Sequence, residues 1–464
     1  DRRSAWSHRV IALQELGKTD DTRLQVAVQA AARGAALDGD WHVSLSFLDL
    51  MLAMAMRGGD DLLEVETLLF RARVHDQLSN LARARADLDA ATKTIGRLHD
   101  PDTRARADAD RATVSGFLSA SPVKVVSELT HAIDFHRTKG RRMFLPEIYL
   151  ERGRAYLAFG DQDRAEEDFE SGIREVENQR QSIGAGDERW GAFASSSHLF
   201  EEAVSLALTR GRRDAAFQYS ERARARDVLD SMGSSWTVSS KLSAAANTVF
   251  IEYVSLPSTL VIFVFDGDGV RAVQRPVTRA ALAQEAERLA DSAVARDAAQ
   301  FRRSSAILYA RLFAPVADEM DDDRTIVVVP DATLSAVPFA ALLDPDGHYV
   351  VEKHAVVVAP SASVYTRLQS RRQTDARGLR LLVISGPGRR AGELASLGAT
   401  WRENQAVAAA YGRDAIVAPA TEDRVSFDAN AASADIIHFS GHADAPEDDT
   451  EGALVTSGES EMFG

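Results

Sequence analysis

Two histidines four residues apart, His438 and His442, close the run Asp435-Ile-Ile-His438-Phe-Ser-Gly441-His442-Ala443. An imidazole with an ordinary pKa of about 6.5 can move protons near neutral pH, which makes either ring a candidate general acid or base. The run reads as a buried strand, Ile436–Phe439, delivering the chain to a bend at Ser440 and Gly441. The C-terminal edge of an α/β sheet is where such folds hold ligands, so a ring at His442 would lie at the mouth of a cleft. A metal pair of the HxxxH kind needs a helix to bring both rings to one face, and a strand followed by a turn does not provide it. No metal site is expected, and the acidic run Asp444, Glu447, Asp448, Asp449 and Glu451 reads as a solvated loop.

Other chemistries find little support. Gly386-Pro-Gly388 with Gly392 lacks the Lys-Ser/Thr of a phosphate loop and reads as a plain βα turn. No G-x-S-x-G elbow occurs, which argues against a serine hydrolase. Cysteine is absent from all 464 residues, so no thiol among them can serve as nucleophile, disulfide or metal ligand.

Two kinds of element surround these residues. Residues 1–230 are rich in Ala, Leu, Arg, Asp and Glu at helical spacing and predict an all-helical array. In Tyr149-Leu-Glu-Arg-Gly153-Arg-Ala-Tyr156-Leu-Ala-Phe-Gly160, followed by Ala165, Phe169 and Gly172, small residues fall where two helices would cross closely and large ones where the next hairpin would pack. That is the logic of a tetratricopeptide (TPR) repeat. Weaker copies, around Ala72–Ala91 and Gly116–Ala132, recur at about 40 residues, longer than the usual 34.

A Ser-rich stretch within 231–247 reads as a linker. Beyond it the period changes. Val249–Val254, Leu260–Phe265 and Val270–Val273 are strand-like, with a turn at Asp266-Gly-Asp-Gly269. Thr325–Val329, Ala355–Ala359, Leu379–Ile384, Ala415–Val417 and Asp435–His438 alternate with helices at Arg279–Ala295, Phe301–Met320, Ser361–Arg371 and Ala399–Tyr411. The expected fold is thus a TPR-like superhelical array over 1–230 and an α/β domain over 248–464, its mainly parallel sheet covered on both faces.

Several ordered motifs carry a family resemblance. Val327-Val-Val-Pro330-Asp331 through Leu342, then Tyr349–Ala355, then Ala359-Pro360-Ser361-Ala-Ser363, together with Phe217–Arg226 ahead of them and His438–Ala443 behind, resemble the CHAT peptidases. Members of that caspase-like family often carry TPR arrays in front. The resemblance implies a Cys-His dyad in which His442 is the catalytic histidine, the N–H of Ala443 is one oxyanion donor, Ser440 and Gly441 form the supporting turn, and His438 is a buried structural residue. Ala443 stands where Gly is usual; it still offers its N–H, with less backbone freedom. The resemblance further implies endoproteolysis without a cofactor, a protein or peptide substrate, and an activating protein on the repeats, including in bacterial defence or cell-death pathways.

The nucleophile should follow on the next strand, some tens of residues past His442. The expectation is therefore a chain cut short, because a parallel sheet ending here would expose a central strand. The rival is a non-catalytic scaffold of the same fold.

Composition fits either reading. With 45% apolar and 27% charged residues the chain reads as a globular protein, and no run approaches the ~20 apolar residues of a membrane span. The formal charge of −15 would repel nucleic acid and anionic lipid. No signal peptide precedes the array, so a cytoplasmic location is expected.

Overall fold

The computed structural model describes residues 22–182, 197–231, 247–266, 269–320, 324–371, 379–385, 399–411, 415–418, 424–441, 443–444 and 453–454. It forms two compact units, the larger running from Gln25 to Ser370 and the smaller including the residues from Arg371 onward.

The larger unit opens with helices α1 (Thr22–Leu37), α2 (Trp41–Gly58), α3 (Asp61–Gln77), α4 (Leu81–Ile95), α5 (Pro101–Phe117), α6 (Pro122–Thr138), α7 (Leu145–Ala158), α8 (Gln162–Ser182), α9 (Ser197–Thr209) and α10 (Arg213–Ser231). Their starts are signalled locally. Asp60 accepts the N–H of Leu63, Asn80 that of Arg83, and Asp100, followed by Pro101, that of Thr103, so helix donors without an intrahelical partner are satisfied by caps. Hairpins α3–α4, α5–α6 and α7–α8 begin at residues 61, 101 and 145, so the irregular spacing of about 40 is present.

Small-against-large packing closes these hairpins. A Cβ on Gly153 would sit 2.5 Å from the ring of Phe169, and one on Gly172 would meet Leu199 at 2.7 Å, so only glycine permits these crossings. Each hairpin also carries an ion pair across its two helices. Arg71 donates twice to Asp87, at 2.8 and 2.6 Å, and Arg152 twice to Asp168, at 2.8 and 2.7 Å. In both the partners are sixteen residues apart. Arg111 and Glu128 make the equivalent contact in α5–α6 at 3.1 Å.

His136 in α6 is buried, with Nδ1 unpartnered and Nε2 3.7 Å from Asp110, on a ring lying 5.2 Å from that of Phe144. Burial pushes its pKa down; Asp110 opposes this and Arg141 adds to it. A histidine that stays neutral in the fold but protonates when unfolded withdraws stability as pH falls from about 6.5 through the lower folded value. His136→Phe should therefore flatten the drop in melting temperature between pH 7.5 and 5. A variant curve parallel to wild type would refute this account.

After the array come β1 (Thr248–Ser255), β2 (Leu260–Phe265), β3 (Val270–Arg275), α11 (Arg279–Val294), α12 (Ala298–Leu312), β4 (Thr325–Val329), α13 (Val350–Lys353), β5 (Ala355–Val358) and α14 (Ala362–Arg371). The five-stranded sheet runs β3-β2-β1-β4-β5, with β1, β4 and β5 parallel and the β1–β2 and β2–β3 pairs antiparallel. Side chains alternate strictly between its faces. Phe250, Val254, Val261, Phe263, Phe265, Val327 and Val329 share a core with Phe169, Leu199, Val204 and Phe217 of the helical array. Val249, Ile251, Tyr253, Ile262, Ile326 and Val328 pack instead with Leu282 and Leu289 of α11 and Leu308 and Leu312 of α12. Both faces are dry, which is why β2 and β4 read as apolar runs and β1 as one interrupted only by Glu252.

Helices α9 and α10 thus form one layer of the α/β fold. The sequence reading treats them as the end of a separate array; the shared core joins them to the sheet. Most of the expected linker, residues 232–246, lies outside the described residues.

The smaller unit holds β6 (Leu381–Ser385), α15 (Thr400–Tyr411), β7 (Ala415–Ala418), α16 (Arg424–Ser433), β8 (Ile436–Ser440), β9 (Ala443–Asp444) and β10 (Ala453–Leu454). Strands β7, β6 and β8 form a fully parallel sheet in that order. No described helix is long and apolar enough to cross a membrane.

Candidate active site

The smaller unit positions the sequence-derived residues. Asp435 anchors the start of β8, its carboxylate accepting the N–H of Arg380 at 2.9 Å while its own N–H donates to the Arg380 carbonyl. From there β8 runs in register with β6, Leu381 opposite Ile436 and Ser385 opposite Ser440. Ser440 is buried and Gly441 half-buried at the C-terminal end of the strand. His442 lies outside the described residues, as do Glu447, Asp448, Asp449, Glu451 and the Gly386–Gly392 turn. Ala443 resumes the path in β9, which pairs antiparallel with β10, Ala443 opposite Leu454.

His438 is not the buried residue the resemblance implies. Its side chain is 29% exposed, and Nε2 lies 3.1 Å from Oε1 of Glu403 on α15. The reason is its strand: among the described residues β8 is an edge, paired with β6 alone, and Ile437 beside it is also exposed. The carboxylate of Glu403 fixes the ring's orientation, a partner that lies thirty-five residues away in sequence and leaves no local signal.

The larger unit holds a second polar constellation, which the sequence reading did not assemble. Glu252, in the middle of apolar β1, is 1% exposed. Its Oε1 accepts from Ser220 of α10. Burial first, and then the adjacent carboxylate of Glu221, push its pKa far above the ordinary range. Glu221, wholly buried, accepts the N–H groups of Ala362 at 2.9 Å and Ser363 at 2.7 Å. Ser361 Oγ accepts that of Val364 at 3.0 Å, and Tyr365 N–H returns to the Ser361 carbonyl, so every donor at the start of α14 is satisfied.

Arg224, one turn along α10 from Glu221, donates to the carbonyls of Tyr253, Val329 and Pro330 at the ends of β1 and β4. Three of the motifs that carry the family resemblance, Phe217–Arg226, Val327–Asp331 and Ala359–Ser363, therefore meet at one junction. A cavity of about 450 Å³ opens beside it, lined among others by Phe200, Val204, Ser220, Arg224, Val254 and Arg279. The charges in its wall are already engaged: Arg279 donates to the Ser255 carbonyl at 2.7 Å and pairs with Glu201 at 2.7 Å. The one available signal was Glu252, an acid in the run Val249-Phe-Ile-Glu-Tyr-Val254 where both faces demand apolar residues.

Asp344, Asp346 and His348 also cluster. Asp344 accepts the N–H groups of Asp346 and His348 and the ammonium of Lys353 at 2.5 Å, which accounts for the group as a capped turn.

The family model of the CHAT domain matches residues 302–463, from within α12 past the β8–His442 bend. Over those residues the chain is similar to a CHAT domain. Strands β1–β3 precede the matched segment. Among curated proteins, none matches the chain. Solved structures align with about half of it at low similarity. BtubC from P. vanneervenii is 20% identical, covering 52% of this chain and 94% of its own, with a TM-score of 0.36. A signal-transduction ATPase with a tetratricopeptide repeat sensor from Pyrococcus horikoshii is 14% identical over 48% of this chain and 31% of its own, TM-score 0.36. MamA is 17% identical over 46% and 98%, TM-score 0.27. The assignment of a TPR-like array rests on the hairpins themselves, and that of the CHAT domain on the family match.

Proposed function

We propose that this protein is the repeat-bearing part of a caspase-like cysteine endopeptidase, with residues 1–230 as the repeat array, 231–247 as connection and 248–464 as the peptidase-like region. The observation that carries the reading is the CHAT match spanning the strand and bend that lead to His442. In this reading His442 assists thiolate formation and then protonates the departing amine, while the N–H of Ala443 donates to the oxyanion. Ser440 and Gly441 shape the turn. The thiol comes from sequence outside these 464 residues, which contain none. The reaction needs no cofactor or metal. The repeats bind a protein substrate or activator in the cytoplasm, and the setting is regulated single-site processing, as in bacterial defence or cell death.

The complete gene product decides this. Its cleavage of a cognate protein should be abolished by iodoacetamide and reduced about 10²–10⁴-fold by His442→Ala, as expected for loss of a general acid/base. Cleavage indifferent to both treatments would sink the proposal. A gene product with neither cysteine nor cleavage would favour the second reading, a CHAT-bearing scaffold that binds a protein partner.

A further inference from the structure

We infer that α10 transmits the state of the repeats to the α/β layer, gripping α8 of the preceding hairpin with Arg222 and the start of α14 with Glu221. Applied to regulation of cleavage, the inference rests on the peptidase reading above; the mechanical link does not.

The two grips come from adjacent residues pointing to different neighbours. Arg222 pairs with Glu170 at 3.0 Å and Glu177 at 3.0 Å, both on α8. Tyr219, one turn earlier, reinforces that side. Its phenol is pushed up to about 12 by burial first and by Glu170 and Glu166, so it remains a donor toward Glu170 at neutral pH. On the other side Glu221 holds the first two N–H groups of α14, and Arg224 holds the carbonyl ends of β1 and β4.

Such a connection has little slack. A rotation of α10 that released Arg222 from α8 would pull Glu221 from the N–H groups of Ala362 and Ser363, in a place where no water replaces them. A buried carboxylate stripped of its donors loses its main stabilisation, and so do the freed N–H groups, which makes the contact switch between made and broken. Glu252 sharpens this, because the hydrogen bond it accepts from Ser220 depends on α10 keeping its place. Helix α14 is the last helix of the larger unit, and the chain continues from it to β6, the partner of β8.

Hydrogen exchange tests this in the intact chain, comparing wild type, Glu221→Gln, Arg222→Ala and the double variant, with folding checked by thermal melting. In Glu221→Gln the amides of residues 361–369 should exchange roughly tenfold faster, since a charged acceptor is lost. Arg222→Ala should speed the same amides several-fold although it touches none of them, and should add nothing in the Glu221→Gln background. Exchange in α3 and α4 should stay as in wild type and serve as control. If Arg222→Ala fails to fold, Arg222→Lys, which keeps the charge but loses the fork to both glutamates, replaces it. Unchanged exchange in α14, or an Arg222 effect that persists in full without Glu221, would overturn the inference. Cleavage assays on the same variants, run in the complete gene product, separate the two ideas. Absence of alkylation-sensitive cleavage in wild type removes the peptidase reading, while the exchange data still judge the link through α10.

Discussion

Arg152→Ala is expected to cost about 3–5 kcal/mol of stability at neutral pH, because it leaves Asp168 buried without its counter-charge. Arg152 forms two short bonds to Asp168 and a third to Thr130 at 2.9 Å, and the Asp168 side chain is only 6% exposed. Burial already raises the Asp168 pKa above the ordinary carboxylate value, with Arg152 pulling the other way. Without the guanidinium the folded pKa climbs further. An acid whose pKa is higher folded than unfolded binds its proton preferentially in the fold, so the penalty is complete above the folded pKa and shrinks as pH falls through it. Urea unfolding of wild type and variant at pH 8 and pH 5 should show a gap that narrows at pH 5. A gap of equal size at both would mean the loss is one of packing.

Phe169→Ala should be of similar size, about 3–5 kcal/mol, for an apolar reason. The ring is fully buried, fills the space that Gly153 leaves, and belongs to the core the array shares with β1, β2 and β4. The cavity would therefore open beneath the sheet as well as inside the hairpin. Thermal melts monitored separately by an array probe and a sheet probe should shift together. A sheet transition that stays in place while the array melts early would show that the common core does not couple them.

Much of this architecture was legible because its causes are local. Strands β1, β2 and β4 announce themselves as apolar runs since both faces are covered, and Gly153 with Phe169 gives away a close crossing by size alone. Helix α16 is not legible in this way, because its sequence, Arg424-Val-Ser-Phe-Asp-Ala-Asn, is rich in residues that favour caps and turns over helix interiors. The ion pairs Arg71–Asp87 and Arg152–Asp168 escaped because loop length and helix phase decide which charges meet across a hairpin. For the same reason the exposure of His438 has no local signal: it depends on what flanks β8, and the contact with Glu403 depends on where α15 lies. Glu221 and Arg224 stand in a family-like helix, yet the donors to Glu221 and two acceptors of Arg224 sit more than one hundred residues downstream, in two different segments.

Because α9 and α10 supply one wall of the five-stranded sheet, a cloning boundary near residue 240 would strip Phe263 and Val327 of their cover and leave Glu252 facing solvent or nothing. Gene rearrangements that exchange repeat arrays between proteins of this kind would then find a permissive breakpoint upstream of α7, so that the last two hairpins travel with the downstream half as one inherited piece.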